Sequence, residues 1–332
     1  MMEIIEIPDD GRVTEPGAYK MSMALYHSQA VCPGPSFSST GIRAAELKSP
    51  LAFWKTSDLN PDRYPPKAEG DALILGKAAH CLILGDEVFA DNFAYVPDDA
   101  PRRPTSAQIA AFEKNGFWSD AAKDGAEWWA RFDAEAAGRS LLTAEQVTRI
   151  GYMAENLAAL PEAREALIGA LTEVSMIWQD EITGLWVKSR PDCIPSNGVD
   201  FGDLKTFSPK GADILLSAQR AVTDHGYPVQ MGMAVEGAER IFGMTATRCA
   251  LIFIQTTEPY EPVPIMLDEE TIHWGRVLFR SGLDKIAHGL NTGEWPPRAK
   301  GFVNYSFPPT MLHRFGELQL AGELPIIERI AA

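Results

Sequence analysis

The pair Asn197-Gly198 constrains the fold of this chain more than any other feature of the sequence, because it predicts a tight β-hairpin. A two-residue type I′ turn requires positive φ angles at both central positions, and Asn-Gly is among the pairs that adopt them most readily. The segments on either side, 185–194 and 199–206, have the composition of strands. Pro195 cannot donate a ladder hydrogen bond, which leaves a wider turn and a shifted register open.

The register that this turn imposes brings two acidic residues together. With a two-residue loop, Cys193 lies opposite Gly202, and Asp192 lies opposite Asp203. Side chains alternate along a strand, so Asp203 and Lys205 share one face. The Cβ atoms of the two opposed aspartates would be roughly 5 Å apart.

An acidic pair at this spacing needs a positive charge between its members. At an effective dielectric constant of about 20, the repulsion between two carboxylates at such a distance is on the order of 3 kcal/mol. Carboxylate oxygens are hard ligands that suit Mg²⁺, with Mn²⁺ as a substitute. Lys205 adds a fixed cation that can hold a water molecule or a phosphate oxygen. The pattern therefore indicates a metal site, and the alternative is a surface hairpin whose acids point into water beside Arg190 and Lys205.

The charge of the chain limits the kind of nucleic-acid binding that is possible. The 332 residues carry a formal net charge of −15. Proteins that coat nucleic acid without sequence preference are usually basic, so the excess of acids argues against that class. A small groove with a few focused Lys and Arg residues stays compatible with this composition.

The cysteines and the N-terminus bear on cofactors and on cellular location. The four cysteines are far apart in the sequence and include no CxxC pair, which argues against a zinc ribbon, an iron–sulfur cluster or a disulfide framework. Scattered thiols fit a reducing cytoplasm. The start of the chain lacks a basic region followed by an apolar one, and no apolar run approaches 18 residues. We therefore expect a cytoplasmic protein without a membrane span.

Hydrophobic spacing predicts a domain of mixed α/β character. Apolar residues at helical spacing predict a helix at 71–84, in which Gly76 and His80 lie four residues apart on one face. The other predicted elements are helices at 106–139, 143–160, 161–169, 212–223, 227–241 and 268–290, and strands at 174–178, 185–194, 199–206 and 248–255. The three consecutive strands from 174 to 206 are expected to form a meander. The predicted boundaries are an irregular lead-in at 1–35, one compact domain at 36–308 and a tail at 309–332.

Four short motifs follow one another in a characteristic order along the chain. They are Gly76-Lys-Ala-Ala-His80, Arg190-Pro191-Asp192, Asp203-Leu204-Lys205-Thr206 and Tyr227-Pro-Val-Gln230. In this order and spacing they resemble the PD-(D/E)xK nuclease superfamily and, within it, the RecE-type exonucleases (exodeoxyribonuclease VIII) and their phage relatives. The resemblance implies a restriction-endonuclease-like core, in which α-helices flank a central mixed β-sheet, and it makes 36–308 the nuclease domain.

The resemblance also implies roles for particular residues. The metal ligands would be His80, Asp192, Asp203 and the backbone carbonyl of Leu204. Lys205 would position the attacking water or help to deprotonate it, and the catalytic residues would be Asp192, Asp203 and Lys205. Glu173 precedes a strand and could approach the metal, although a solvated acid at a strand end is an equal alternative.

Contacts with DNA are expected from a smaller group of residues. Gln230 could contact DNA or orient a ligand from its helix, and Arg190 and Lys210 could touch the phosphate backbone. The alternative for each is an ordinary polar position on the surface. Relatives usually carry a tyrosine one turn after the glutamine, whereas this chain has Ala234, which leaves the DNA-contacting role of the helix open.

These expectations combine into a metal-dependent DNA exonuclease. It would use Mg²⁺ to hydrolyse one strand of duplex DNA from an end, and the resemblance implies 5′ to 3′ polarity, a ring-shaped homo-oligomer, cooperation with a single-strand annealing protein and a role in recombination or repair. One alternative is a structure-specific or single-strand endonuclease of the same fold. Another is a DNA- or protein-binding module that keeps the fold without catalytic turnover.

Overall fold

Helices cover two β-sheets in this α/β structure. The computed structural model describes residues 3–65, 70–85, 89–167, 171–194 and 201–327, so the turn predicted at Asn197-Gly198 lies outside the described residues. Within these ranges the strands are β1 (Ile4–Glu6), β2 (Gly17–Lys20), β3 (Ser36–Phe37), β4 (Phe93–Tyr95), β5 (Ser140–Leu142), β6 (Leu171–Thr172), β7 (Ser175–Gln179), β8 (Trp186–Ser189), β9 (Cys193–Ile194), β10 (Phe201–Phe207), β11 (Cys249–Gln255) and β12 (Pro262–Leu267).

The helices lie between and around these strands. They are α1 (Met23–His27), α2 (Ser39–Arg43), α3 (Pro50–Trp54), α4 (Asp71–Leu84), α5 (Phe89–Asn92), α6 (Ser106–Asn115), α7 (Asp120–Glu135), α8 (Ala144–Ala159), α9 (Pro161–Leu167), α10 (Ile214–Asp224), α11 (Tyr227–Phe242), α12 (Glu269–Thr292) and α13 (Pro309–Leu320). Helix α4 has the predicted bounds, and Thr143 caps α8 as the sequence indicates. The helix predicted at 106–139 is divided at Gly116, whose φ of 76° ends α6. No helix in the described ranges is both long enough and apolar enough to cross a bilayer.

The strands are arranged in two five-stranded sheets and one strand pair in the described part of the chain. The first sheet has the order β1-β2-β7-β8-β3, the second has the order β12-β11-β10-β9-β6, and β4 pairs with β5. In the second sheet β10 is parallel to β11 and antiparallel to β9. The predicted fold class, a mixed β-sheet flanked by α-helices, is confirmed.

Strand β10 is buried on both faces, and this determines where its polar side chains lie. Leu204 on one face packs with Ile252 and with α4, α8 and α9. Phe201 on the other face packs with α11 and α12. Because side chains alternate, Asp203 and Lys205 lie on the side of Phe201 and face α11.

The predicted three-stranded meander is wrong in one respect. Strands β7 and β8 pair antiparallel as expected. The segment 185–194, however, is two strands rather than one, because β8 belongs to the first sheet and β9 to the second. The break falls at Arg190-Pro191-Asp192, where proline interrupts strand hydrogen bonding. Asp192 therefore lies at the point where the chain passes from one sheet to the other.

The first 35 residues are more ordered than the sequence indicates. Strand β2 pairs with β7 and carries β1 beside it, so the N-terminal segment forms an edge of the first sheet. Helix α1 and the 3₁₀ turn at Gln29–Val31 follow. At the other end of the chain, the predicted tail contains α13, none of whose residues is buried.

Candidate functional site

The centre of the site is the backbone of Leu204, at the point where the pairing of β9 with β10 ends. Cys193 lies opposite Gly202, which confirms the predicted register. Continued by two residues, the same register places Pro191 opposite Leu204. Proline has no N–H to offer, and the chain turns away into the first sheet at this residue. The amide and carbonyl of Leu204 are therefore left for side chains to bind.

Asp192 and His80 bind these two backbone groups. The N–H of Leu204 donates a hydrogen bond of 2.6 Å to Oδ2 of Asp192. Nε2 of His80 lies 2.7 Å from the Leu204 carbonyl oxygen and 3.4 Å from Oδ2 of Asp192. Because a carbonyl oxygen can only accept, Nε2 of His80 carries a proton in this arrangement. The structure thus brings together three of the four metal ligands that the sequence predicts.

Helix α4 delivers His80 to this position because Gly76 lets the helix approach β10 closely. A Cβ atom added to Gly76 would lie 2.8 Å from Oγ1 of Thr206, closer than side chains normally pack. Gly76 and His80 are one turn apart on the same face of the helix. The absence of a side chain at Gly76 therefore allows His80 to reach the edge of the sheet at Leu204.

On the opposite face of β10, Asp203 and Lys205 form an ion pair. Asp203 is fully buried, and Oδ1 accepts a hydrogen bond of 3.1 Å from Nε2 of Gln230. The Lys205 ammonium lies 3.4 Å from Oε1 of the same glutamine. Gln230 therefore orients the acid and the cation together, and its contacts favour the orienting role that the sequence left open.

Tyr227 and Arg43 extend this side of the site. The Lys205 ammonium lies 4.7 Å from the centre of the Tyr227 ring, and the Arg43 guanidinium lies 5.8 Å from the same ring. Tyr227 precedes Gln230 by three residues on α11, a spacing that could have indicated a shared face. Nothing in the sequence connects Arg43 with this site, because it lies about 160 residues before the acidic motif.

Burial and mutual repulsion change the acidity of the site. Burial, followed by the charge of Asp203, raises the pKa of Asp192 well above the usual aspartate range, against the opposing effects of His80 and Lys205. Burial alone would lower the pKa of Lys205, but the charges of Asp203 and Asp192 outweigh it and hold that pKa above its usual value. Two carboxylates thus share a buried region with one firmly charged ammonium.

The donor atoms around Leu204 fit a hard divalent cation. Adjacent ligands of an octahedral Mg²⁺ ion, each about 2.1 Å from the metal, lie about 3 Å apart. The distances of 2.7 and 3.4 Å from Nε2 of His80 to the Leu204 and Asp192 oxygens are close to that value. Oδ2 of Asp203 is buried and, apart from its ion pair, has no hydrogen-bond partner within the described residues.

Side chains alone do not form a metal-binding group here. Among the residues that the structure describes, no three His, Cys, Asp or Glu side chains are grouped closely enough to hold an ion. The third donor beside His80 and Asp192 is a backbone carbonyl, and Asp203 is turned towards Lys205. A metal at this place would replace the proton on Nε2 of His80.

Glu173 lies beside the site, but its carboxylate contacts Arg190. Its N–H donates to the Asp192 carbonyl at 3.4 Å, and its backbone has a φ of 57°. Oε2 of Glu173 lies 3.5 Å from the guanidinium of Arg190. The arginine side chain is only 6% exposed, and it also donates to Ser175 and to the Met21 carbonyl. These contacts give Arg190 a structural role and do not favour the predicted phosphate contact.

Two other positions from the sequence analysis have no contact among those described with the acidic centre, the pair of Asp192 and Asp203. Lys210 is exposed in the loop after β10, where its backbone N–H donates to Ser217. Ala234 is 1% exposed and packs in the main hydrophobic core. The position at which relatives carry tyrosine therefore faces the interior of this protein.

Three comparisons with known proteins bear on this arrangement. A family model described as a "PDDEXK-like domain of unknown function (DUF3799)" matches residues 56–305, which are 250 of the 332 residues. No curated protein matches the chain. The matched range contains His80, Asp192, Asp203, Lys205 and Gln230.

Two solved structures are similar to the chain at low identity. A "Putative exonuclease" from Eubacterium rectale is 12% identical, with a TM-score of 0.49, over 88% of this chain and 98% of that one. A phage related exonuclease from Haemophilus somnus 129PT is 13% identical, with a TM-score of 0.28, over 58% of this chain and 92% of that one. Likeness at this level does not extend to function.

Proposed function

The chain belongs to the DUF3799 family of PDDEXK-like domains, and from this premise we propose that it is a metal-dependent nuclease that hydrolyses phosphodiester bonds in DNA. One observation carries the proposal. His80, Asp192 and the Leu204 carbonyl converge where the pairing of β9 with β10 ends, directly beside the buried pair of Asp203 and Lys205. This combination of donors and a cation suits the cleavage of a phosphodiester.

The residues of the site would have different roles in hydrolysis. His80, Asp192, Asp203 and the Leu204 carbonyl would hold a divalent metal, Mg²⁺ or Mn²⁺, which would make water nucleophilic at neutral pH and offset charge on the leaving oxygen. Lys205, fixed between Asp203 and Gln230, can donate a hydrogen bond to a phosphate oxygen or to the incoming water. Gln230 keeps the Asp203 carboxylate in one orientation.

The finer proposal is an exonuclease of RecE type that acts on duplex ends. It includes 5′ to 3′ polarity, a nuclease domain at 36–308, a homo-oligomer, a single-strand annealing partner and a cytoplasmic role in recombination or repair. The cytoplasmic location is the expectation drawn from the scattered thiols. The other features follow from the motif resemblance, and all four motifs lie inside the matched range.

The test is degradation of end-labelled linear duplex DNA with Mg²⁺. The wild-type chain should release labelled nucleotides, whereas folded Asp203→Asn and Lys205→Met variants should not. Equal rates in wild type and variants would exclude the proposed active site. A covalently closed circular duplex distinguishes the endonuclease alternative, because an exonuclease leaves it intact.

A binding module without turnover is the second candidate, and one observation favours it. Nε2 of His80 already has the Leu204 carbonyl as a partner, and the Asp203 carboxylate already has the Lys205 ammonium, so both side chains have a partner without an ion. Calorimetric titration with Mn²⁺ separates the two. A nuclease should bind the ion and lose that binding in Asp192→Asn, whereas a module without the metal site should show no heat of binding in either protein.

A further inference from the structure

The acidic centre is flanked by cationic side chains on both sides, although the chain as a whole has a net charge of −15. On one side lies Arg43, at the end of α2. Its guanidinium donates to the backbone carbonyls of Ser39 and His225 and forms no ion pair with any described residue. Burial lowers the pKa of Arg43, while the charges of Tyr227 and Asp203 oppose this effect. The arginine therefore interacts electrostatically with the buried Asp203.

The other side is formed by α1, β8 and α4. The Arg190 guanidinium lies 4.6 Å from the centre of the Tyr26 ring, and Nζ of Lys188 donates to the Ser28 carbonyl at 3.1 Å. His27 lies between these two contacts in the sequence. Burial lowers the pKa of His27, and the charges that act on it are those of Lys188, Arg190 and Lys77, all of them cations.

Like His27, Lys77 is an exposed member of this second group. It precedes His80 by three residues on α4, so the two side chains emerge from neighbouring positions of the helix. His80 contacts the acidic centre at Asp192. Lys77 and His27 therefore lie at the rim of the site, with Lys188 and Arg190 behind them.

A chain of contacts gives the order of these groups across the site. Arg190 contacts Glu173, whose N–H donates to the Asp192 carbonyl. Asp192 is joined through the Leu204 backbone to β10, which carries the Lys205 ammonium. That ammonium faces the Tyr227 ring, and Arg43 faces the same ring. The acids thus lie in the middle, with cationic side chains on either side.

We propose that Arg43 on one side and Lys77 on the other bind backbone phosphates of the DNA strand that crosses the acidic centre. The inference rests on the proposed nuclease function and adds the path of the substrate to it. A strand carries a phosphate at every nucleotide, so a strand with one phosphodiester at the acids presents neighbouring phosphates on both sides. Cations at these flanks would hold the scissile bond in register without contacting it.

Salt-dependent DNA binding tests this assignment without requiring cleavage. Binding of a fluorescein-labelled duplex by the full chain in EDTA would be measured by anisotropy over a range of salt concentrations. Each phosphate contact that is lost should reduce the slope of log K against log[salt] by about 0.9 for duplex or about 0.7 for single-stranded DNA. We expect this reduction for Arg43→Gln and for Lys77→Gln, and roughly twice this reduction for the double variant. Lys114→Gln in α6 and Arg131→Gln in α7, both exposed, are matched controls and should leave the slope unchanged.

Neutral phosphates locate the contacts. A set of duplexes would each carry one uncharged methylphosphonate, at a different position near an end. Wild type should bind less tightly to those in which the methylphosphonate replaces a contacted phosphate. At the position contacted by Arg43, the Arg43→Gln variant should show no further loss, and Lys77→Gln should show the same at a different position. Arg43→Lys keeps the positive charge but changes the hydrogen bonds to the Ser39 and His225 carbonyls. This variant should still bind less tightly to the duplex whose contacted phosphate is neutral.

The outcomes separate this inference from the proposed function. Wild type that binds and degrades DNA, with slopes unchanged in both glutamine variants, would overturn the inference alone. A wild-type chain that binds no DNA at any salt concentration would overturn both. Reduced slopes in Arg43→Gln and Lys77→Gln, together with position-specific loss of the methylphosphonate effect, would establish the two flanks.

Discussion

Oδ2 of Asp192 accepts a hydrogen bond of 2.6 Å from the amide of Leu204, in the place where a paired strand would otherwise provide the acceptor. A side chain thus continues the ladder after Pro191 has ended it. The Leu204 carbonyl, on the same edge, contacts His80. One residue of β10 therefore fixes an acid through its N–H and a histidine through its carbonyl, and mutations at this edge should act on stability and chemistry in different ways.

Removing either member of the Asp203–Lys205 pair should abolish activity and reduce stability. Asp203→Asn leaves an ammonium without its counter-ion, and Lys205→Met leaves a buried carboxylate without its cation, so each single change should cost about 3–5 kcal/mol of unfolding free energy. The double variant should be more stable than the sum of the single changes predicts, while staying inactive. Urea unfolding and nuclease assays on all four proteins measure this, with Lys114→Met as a control that changes neither.

Asp192→Asn should stabilise the metal-free protein at neutral pH. The folded-state pKa of Asp192 is raised, so the unfolded chain releases this proton first, near pH 4, and stability falls as the pH rises from there towards the raised value. The asparagine keeps an acceptor for Leu204 and has no proton to lose. Urea unfolding in EDTA from pH 4 to pH 8 should show the variant gaining on wild type by up to a few kcal/mol. A variant that is less stable than wild type at pH 7.5 would contradict this account.

Gly76→Ala should weaken metal binding, although the residue contacts no ligand. The added methyl group would press on Thr206 and move α4 away from β10, at a cost of about 1–3 kcal/mol. His80, one turn further on, would move with the helix, so the affinity for Mn²⁺ measured by calorimetry should fall. Gly151→Ala in α8 is the matched control, because a Cβ there meets nothing within 4 Å. That change should stabilise the protein by about 0.5–1 kcal/mol and leave metal affinity intact.

Lys188→Met should remove a pH-dependent part of the stability. Lys188 is 2% exposed, and burial lowers its pKa to about 8, with a smaller opposing effect of Cys32. Because the unfolded lysine keeps its proton up to about pH 10.4, the unfolded state binds more protons between these values and wild-type stability rises with pH there. The methionine variant should lack this rise and should be more stable at pH 7 by about 1–3 kcal/mol. An equal difference in unfolding free energy between the two proteins at pH 7 and at pH 10 would show that Lys188 does not cause the pH dependence.

The sequence predicts the local elements of the site better than their partners. The register between Cys193 and Gly202 follows from turn chemistry and alternation, and α4 follows from helical spacing, because both depend on neighbours in the chain. The division of 185–194 does not follow from alternation, since a strand has the same pattern whether it stays in one sheet or enters another. Pro191 was the available signal for that break.

Elements that depend on distant partners were missed for a related reason. Strand β12 contains Pro262 and Pro264, which argue against a strand by composition but are tolerated on a sheet edge. The three residues of β1 acquire their conformation only beside β2. The contacts of Lys205 and Arg43 with the Tyr227 ring likewise join segments that no periodicity relates.

Pro191 offers a criterion for sorting related sequences by their competence for chemistry. A homologue that retains both aspartates but has another residue in place of Pro191 could extend the pairing of β9 with β10. The backbone of β9 would then bind the amide and carbonyl of Leu204, which Asp192 and His80 bind in this protein. Such a chain would keep both aspartates and lose the arrangement of donor atoms around Leu204. The residue at this position in related sequences would therefore identify chains that keep both aspartates without the donor arrangement around Leu204, which a count of acidic residues would not.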